Sequence, residues 1–399
     1  MKLNNVFNQC NLYLTLWCLF LLLREYNSSR ISALLLFGIL FLSIFYWFYA
    51  NLKYHFNIYL KSLNILLFLF TSYGLIRMFS GEVIINTLGQ VTKPYGFLQN
   101  IYTSLLPIFA FYTFTRKGLL TQSVIKFWII IFIPIAMFAF QQLNTRIIDL
   151  LSTPNVTITE FTNNYSYWFL FLLPGIALFK NRIFQFSALI LCITYIIMGM
   201  KRGAILLLFL CIALFIYHTL IKSSSRKKML TLVLSVVTIW VSYNIITWNL
   251  QNSDYFYSRL QRTLNGDSSE RDIIYYNIFN SFISEDKFLP ILLGHGAEAT
   301  VRLTGNEAHN DWLEILYNHG MLGVLIYFYY WLAFLRTSIK SKKTCNELYL
   351  SFMLIIIILL GRSFFSMSYA DLMIFTSIVL GYVLGEIDKA QYLLYENNS

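Results

Sequence analysis

The chain predicts an all-α fold of the polytopic membrane class, and three observations carry the prediction. Of its 399 residues, 57% are hydrophobic and only 12% charged, with a mean hydropathy of +0.60, outside the range of ordinary soluble domains. Apolar runs recur at close to the roughly 20 residues that cross a bilayer as a helix. A single long polar interval, residues 249–320, interrupts them.

In chain order the apolar runs lie near 9–23, 31–50, 62–79, 97–115, 124–141, 164–179, 183–200, 203–221, 229–248, 321–338, 347–363 and 371–386, about twelve spans by length. The first lacks a small-residue cleavage site and runs into Leu23-Arg24-Glu25, so it reads as a span and not as a removed signal peptide. Lys201-Arg202 forms the only break between the seventh and eighth. The chain thus reads as one membrane domain, 1–399, with 249–320 as a large loop inside it and a smaller loop at 143–163 carrying Arg146, Asp149 and Glu160. No internal repeat or Pro-rich linker appears. Cysteines stand at 10, 18, 192, 211 and 345, without the spacing of a disulfide framework or a zinc site, and read as small apolar residues.

Short basic connectors fall at Arg116-Lys117, Lys180–Arg182, Lys222–Lys228 and Lys340–Lys343. They alternate with the other loops, so the positive-inside rule puts them and both termini in the cytoplasm and the 249–320 loop outside. The inner cations are mostly lysine. The outer set is mostly arginine: Arg24, Arg30, Arg77, Arg146, Arg202, Arg259, Arg262, Arg271, Arg302 and Arg362. Lysine is a hydrated point charge suited to anchoring, whereas the guanidinium fork grips phosphate through paired hydrogen bonds. An outward arginine set points to a phosphorylated ligand there; the alternative is that individual arginines pair with the outer acids.

Within the large loop, Asp267-Ser-Ser-Glu270 precedes apolar residues at helical spacing, Ile273, Ile274, Ile278, Phe279 and Phe282, and predicts an amphipathic helix ending near Ser284-Glu285-Asp286. Phe288–Leu293 and a Gly294-His-Gly296 turn follow, then a second helix from His309. Two such helices would lie on the membrane and roof a cavity. On a helix, positions 309, 313, 316, 320 and 323 share a face, which would set His309 above a glycine stripe approached by a neighbouring helix.

His309 is the leading chemical candidate, because imidazole titrates near neutrality and can take a proton from a hydroxyl. Asn310, Asp311 and Glu314 stand ready to orient it or a substrate; a capping or packing histidine is the plainer alternative. Arg202 and Arg362 sit at span edges, as snorkelling anchors do, yet on the side the positive-inside rule disfavours. Arg271 opens the loop helix, and Arg262 and Arg302 flank the loop's polar segments. His55, His218, His295 and His319 read as structural. No Walker loop, GxGxxG, GxSxG or HExxH is present, nor an acidic pair of the type that holds a metal-bound nucleotide sugar. The dispersed charge excludes a nucleic-acid surface, and the aromatic content (18%) fits interfacial belts.

The arrangement His309-Asn310, nine residues, Gly320-x-x-Gly323 resembles the signature of the O-antigen ligase and Wzy-type polymerase superfamily of envelope polysaccharide assembly. So does the order around it: Lys201-Arg202-Gly203 beginning a span, Glu270-Arg271-Asp272 before a helix, Leu293-Gly-His-Gly296 before the His-Asn element, and the short Arg262-Thr-Leu-Asn-Gly266. The resemblance covers about residues 195–335. It implies a GT-C-like membrane glycosyltransferase that takes a glycan from an undecaprenyl diphosphate carrier on the periplasmic face of the bacterial inner membrane, with no cofactor and no metal. His309 would activate the acceptor hydroxyl. Arg202 and Arg271, with Arg262, Arg302, Asn310, Glu314 and Arg362, would hold diphosphate and glycan.

Among functions, the resemblance favours a polymerase joining lipid-linked repeat units, because Ala308-His-Asn-Asp-Trp-Leu-Glu314 is closer to polymerases. Expected partners are the undecaprenyl-diphosphate-linked glycan and membrane lipid, with a chain-length regulator and a flippase. The alternatives are an O-antigen ligase acting on lipid A core and a lipid-linked oligosaccharide flippase or transporter. The last is disfavoured by six prolines and the lack of a repeat.

Overall fold

A computed structural model describes residues 8–25, 29–87, 89–151, 163–222, 224–253, 257–258, 260–262, 265–266, 271–369 and 374–396. Arg259, Glu160, the Asp149 side chain and the Asp267–Glu270 segment expected to open a helix lie outside the described set. The described residues form fifteen helices and no strand, with one isolated antiparallel bridge between Ile85 and Val91. They are α1 (Gln9–Glu25), α2 (Ser29–Lys53), α3 (Ile58–Phe79), α4 (Gly96–Arg116), α5 (Gln122–Leu151), α6 (Ser166–Ile176), α7 (Arg182–Met198), α8 (Arg202–Lys222) and α9 (Ser225–Asn252). After them come α10 (Arg271–Ile283), α11 (Phe288–Leu293), α12 (Ala299–Thr304), α13 (Asp311–Thr344), α14 (Tyr349–Phe365) and α15 (Ile374–Glu396).

A helix stands at each apolar run marked in the sequence. Six are long and apolar enough to cross a membrane, within α2, α3, α5, α8, α9 and α13, and α6, α7 and α14 are shorter apolar helices. A helix satisfies its own backbone polar groups, which hydrocarbon demands. Large apolar side chains also point outward, among them Phe41, Phe45 and Phe48 of α2. An exposed apolar surface of that extent marks contact with lipid. The chain is a multi-pass helical membrane protein.

Two helices form the centre. α6 is buried at every position, and α4 is buried without a break from Thr103 to Thr115. α4 packs most extensively against α15, and the reason is local. A Cβ on Gly381 would lie 2.6 Å from Phe111 Cβ and 2.8 Å from Ile108 O, and one on Gly385 2.6 Å from Thr115 Cβ. Gly381 and Gly385, four apart on one face, let the two backbones close up. The sequence pattern also assigned such an approach to Gly320 and Gly323: Gly320 closes on the end of α11 and the Gly294 turn, whereas Gly323 faces only His319 and Ile315 of its own helix. At the end of the bundle away from His309, Asp388 accepts from Asn57 Nδ2 (3.1 Å) and Tyr112 OH (2.9 Å) and ties α3, α4 and α15 together.

Candidate functional site

α13 is two helices joined at a bend. Gly320 lies at φ +65°, ψ −166°, a region essentially reserved for glycine. A Cβ there would sit 2.5 Å from Gly294 N and from Leu292 O, so two glycine backbones pack face to face. The bend strands backbone carbonyls that a buried helix cannot leave unpaired. Tyr317 O accepts from His295 N (3.0 Å) and Asn318 O from Gly296 N (2.9 Å). The Gly294-His-Gly296 turn is therefore the cap of the broken helix, and Tyr73 of α3 holds it by donating to Leu293 O.

His309 precedes α13 and does not share its face, a second correction to the helical pattern. Asn310 is the N-cap, with φ −152° and a side-chain oxygen accepting from Trp312 N (3.0 Å) and Leu313 N (3.2 Å). That leaves His309 outside the helix in the left-handed region, φ +51°. Such a conformation costs a side-chain-bearing residue on the order of 1–3 kcal/mol, and strain of this kind concentrates at functional sites. Met200, beside Lys201, has φ +54°.

Two buried acids in the first turn of α13 fix the segments around His309. Glu314 accepts from Ala308 N (2.7 Å), Asn318 Nδ2 (2.9 Å) and Thr300 Oγ1. Asp311 accepts from Tyr327 OH (2.6 Å), Ser368 N (3.0 Å) and Ser368 Oγ. A carboxylate accepting several hydrogen bonds withstands burial that an unpaired one would not. Glu314 thus holds the residue before His309, and Asp311 holds the strand of chain leaving α14.

Beside His309 lies a cavity of about 920 Å³. One wall is apolar, from Phe20 of α1 and Ala33, Leu36, Phe37 and Leu40 of α2. Other lining residues are Tyr95, Gln99, Asn100 and Tyr102 near the start of α4, and Asn164, Tyr165, Tyr167 and Trp168 near the start of α6. Arg24, Lys93 and Lys201 bring positive charge, and Glu307, Ser366 and Met367 complete the lining with His309. The lining pairs an imidazole able to take a proton with cations for an anionic group and an apolar face for a lipid chain.

Five of the sequence candidates converge here. His309 lines the cavity. Asn310 Nδ2 reaches Phe364 O (3.5 Å), and Arg271 donates to Phe365 O (2.9 Å), next to the lining residue Ser366. Arg362, fully buried, stacks its guanidinium on the cavity rings Tyr167 (4.5 Å) and Phe171 (5.0 Å). Arg202 opens α8 between Lys201 and Gly203, where an added Cβ on Gly203 would lie 2.7 Å from Tyr167 OH. Three candidates stand elsewhere. Glu314 is enclosed beneath the site, and Arg262 is exposed on the 260–262 segment. Arg302 forms an ion pair with Glu82 (2.6 Å) and donates to His295 O (2.7 Å). Arg77 pairs with Glu298 (3.0 Å), and Arg146 donates to Glu25 O (2.7 Å); these outer arginines make the internal bonds that the sequence allowed as the alternative. Burial raises the Glu298 carboxyl above its ordinary range, opposed by Arg77. Burial also lowers the His295 imidazole, opposed by Glu285 and reinforced by Arg302.

Sequence reasoning missed Lys93, Lys201, Glu307 and the aromatic and amide walls. Glu307 stands two residues before His309 and Lys201 beside Arg202, so both had a local signal; the α4 and α6 residues had only hydropathy. Among the described residues no three His, Cys, Asp or Glu side chains converge as a metal site would require.

Fold and site define a multi-pass helical membrane protein built around an amphipathic, cation-lined cavity. Residues 187–328 match the family model described as O-antigen ligase, so that segment, a little over a third of the chain, is similar to this family. It spans α7 to the first half of α13 and includes Lys201, Arg202, Arg271 and His309. Comparison with curated proteins gives no match.

Proposed function

We propose that the chain is a polysaccharide polymerase of the inner membrane, joining repeat units carried on undecaprenyl diphosphate at the periplasmic face. Its twelve apolar helices cross the bilayer, and the His309 end faces outward with the 249–320 loop. The acceptor hydroxyl oxygen attacks the anomeric carbon of the donor sugar, the hydroxyl proton passes to the His309 imidazole, and the carbon–oxygen bond to diphosphate breaks. Arg202 and Arg271, with Lys201, stabilise the charge on the departing lipid diphosphate. Arg362 backs the aromatic wall, and Asn310 sets the register of His309. Arg262 and Arg302 act at the rim, and Glu314 acts by positioning Ala308. A chain-length regulator and a flippase are its partners. The observation carrying this reading is a strained histidine on the wall of a cavity that joins an apolar face to a cationic one. The lipid chain and the diphosphate of one substrate match those two faces.

A second reading is ligation to lipid A core, favoured by the description of the matched family. Deleting the gene and resolving the lipopolysaccharide on a gel separates the two. A polymerase mutant leaves core capped by one repeat unit and a ligase mutant leaves bare core, whereas a normal polymer ladder overturns both.

A further inference from the structure

We infer that the wall made by the starts of α4 and α6 is the subsite for the acceptor sugar, with Tyr95, Gln99, Asn100, Tyr102 and Asn164 as its contact residues. The inference rests on the proposed glycosyl transfer, and it names the chemistry of the second substrate: a hydroxyl-rich glycan end held by amides and rings. Three observations carry it. First, this wall lines the same cavity as His309, so a sugar seated on it is within the space the base serves. Second, the side-chain amides of Gln99, Asn100 and Asn164 make no hydrogen bond among the described residues, and Asn100 and Asn164 are exposed at the cavity. An amide offers both a donor and an acceptor, which is what a sugar hydroxyl requires. Third, the rings are placed and not merely present. Tyr102 OH is fixed by Thr71 Oγ1 (3.1 Å), while Tyr95 is half exposed with its ring beside Lys93 Nζ (5.9 Å). A fixed aromatic face covers the C–H side of a pyranose while amides take its hydroxyls.

The spacing on α4 supports one continuous surface. Positions 95, 99 and 102 are four and three apart and fall on one helical face. The α6 side of this wall meets Arg362, which stacks on Tyr167, and the Lys201–Gly203 turn beside Tyr167 OH, so the acceptor wall adjoins the cations that suit the diphosphate of the donor. His309 and Lys201 line the same cavity as this wall, so one space holds the acceptor hydroxyl, the base and a cation for the leaving group.

The test uses the full-length protein in lipid nanodiscs. The probe is the repeat-unit oligosaccharide released by mild acid from the lipid-linked intermediates of the cells that carry this chain. Gln99→Ala and Asn164→Ala are each expected to weaken its binding, read by saturation-transfer NMR and calorimetry, by about three- to ten-fold, the worth of one neutral hydrogen bond. Tyr95→Ala weakens it and Tyr95→Phe restores it. Binding of undecaprenyl diphosphate stays within about two-fold in all of them. Wild-type affinity for the oligosaccharide in the amide variants, loss of undecaprenyl diphosphate binding in its place, or no oligosaccharide binding by the wild type each overturns the subsite. Transfer is measured in parallel. Oligosaccharide binding at this wall without transfer overturns the proposed reaction and leaves the subsite standing, whereas transfer with an unchanged acceptor KM in the variants does the reverse.

Discussion

Replacing Gly320 by alanine separates two costs that the structure makes measurable. The first is conformational: at φ +65°, ψ −166° an L-residue pays on the order of 1–2 kcal/mol. The second is steric. The new Cβ would meet Gly294 N and Leu292 O at 2.5 Å and Leu292 C at 2.6 Å, all backbone atoms without a rotamer to move. Overpacking of that kind adds about 1–3 kcal/mol, so the total is about 2–5 kcal/mol. Two further glycines calibrate it. Gly81 has nearly the same φ, +66°, but nothing within 4 Å of a Cβ, and Gly38 in α2 has open space and carries no left-handed φ. Gly81→Ala should therefore cost only the conformational part, and Gly38→Ala should be neutral or slightly stabilising through helix propensity. Thermal unfolding in detergent, followed by the fraction of monodisperse protein after heating, ranks the three. The order Gly38→Ala, Gly81→Ala, Gly320→Ala from most to least stable is expected, with the last well separated. If Gly320→Ala melts with Gly81→Ala, the backbone contact between the bend and the Gly294 turn is not there, and the reasoning fails.

Three other predictions concern the site and its supports. Glu314→Gln turns an acceptor of three hydrogen bonds into a group that presents N–H to a donor, and should cost about 1–3 kcal/mol together with the polymer. Glu314→Asp, keeping the charge on a shorter arm, should recover stability before it recovers product on a gel. His309→Ala and Arg271→Ala, made separately, should abolish polymer at normal protein levels; a polymer ladder from either variant removes that residue from the chemistry. The third prediction is a pH effect on stability. The His295 imidazole has a folded pKa lowered below its ordinary 6.5, so as pH falls from 7 the unfolded chain binds the proton first. Wild-type melting should therefore decline below about pH 6.5 by more than that of His295→Gln, and parallel curves would contradict it.

The helices at the apolar runs were legible because hydrocarbon imposes one requirement, a long apolar run, that composition alone records; six of them are long and apolar enough to cross a membrane among the described residues. The His309 neighbourhood was legible as a cluster because its polar residues are adjacent in the chain. What failed is what depends on the third dimension. Gly320 was placed on a helical stripe because its spacing from His309 follows the helical repeat. The bend is caused by the Gly294 turn, a separate segment that supplies both the close contact and the two N–H groups needed to cap the break. Arg302 and Arg77 were grouped with the phosphate-binding set because residue type does not reveal a partner; Glu82 and Glu298 occupy them. The reverse error befell Lys93 and Lys201. Lys93 was passed over and Lys201 was named only within the Lys201-Arg202-Gly203 resemblance, yet these two line the cavity.

The first turn of α13 shows how one short segment serves several tasks. Asn310 ends its own extended stretch by capping the helix, which fixes where the helix begins and keeps His309 out of it. Asp311, the next residue, is bonded to Ser368 and so fixes the lining residues Ser366 and Met367. Glu314, one turn on, bonds Ala308 and Thr300 and so fixes the approach to His309. Both acids are fully enclosed and point away from the cavity's contents, so neither need touch a substrate to be indispensable. A buried carboxylate stays tolerable only while its donors stay in place, which couples the position of His309 to two distant segments at once. The strain at His309 is then maintained by bonds on either side of it, and relaxing the histidine into the helix would break Asn310's cap or release Ala308 from Glu314. A group that must face a cavity at a set angle is thereby kept from the more stable conformation its neighbours would otherwise adopt.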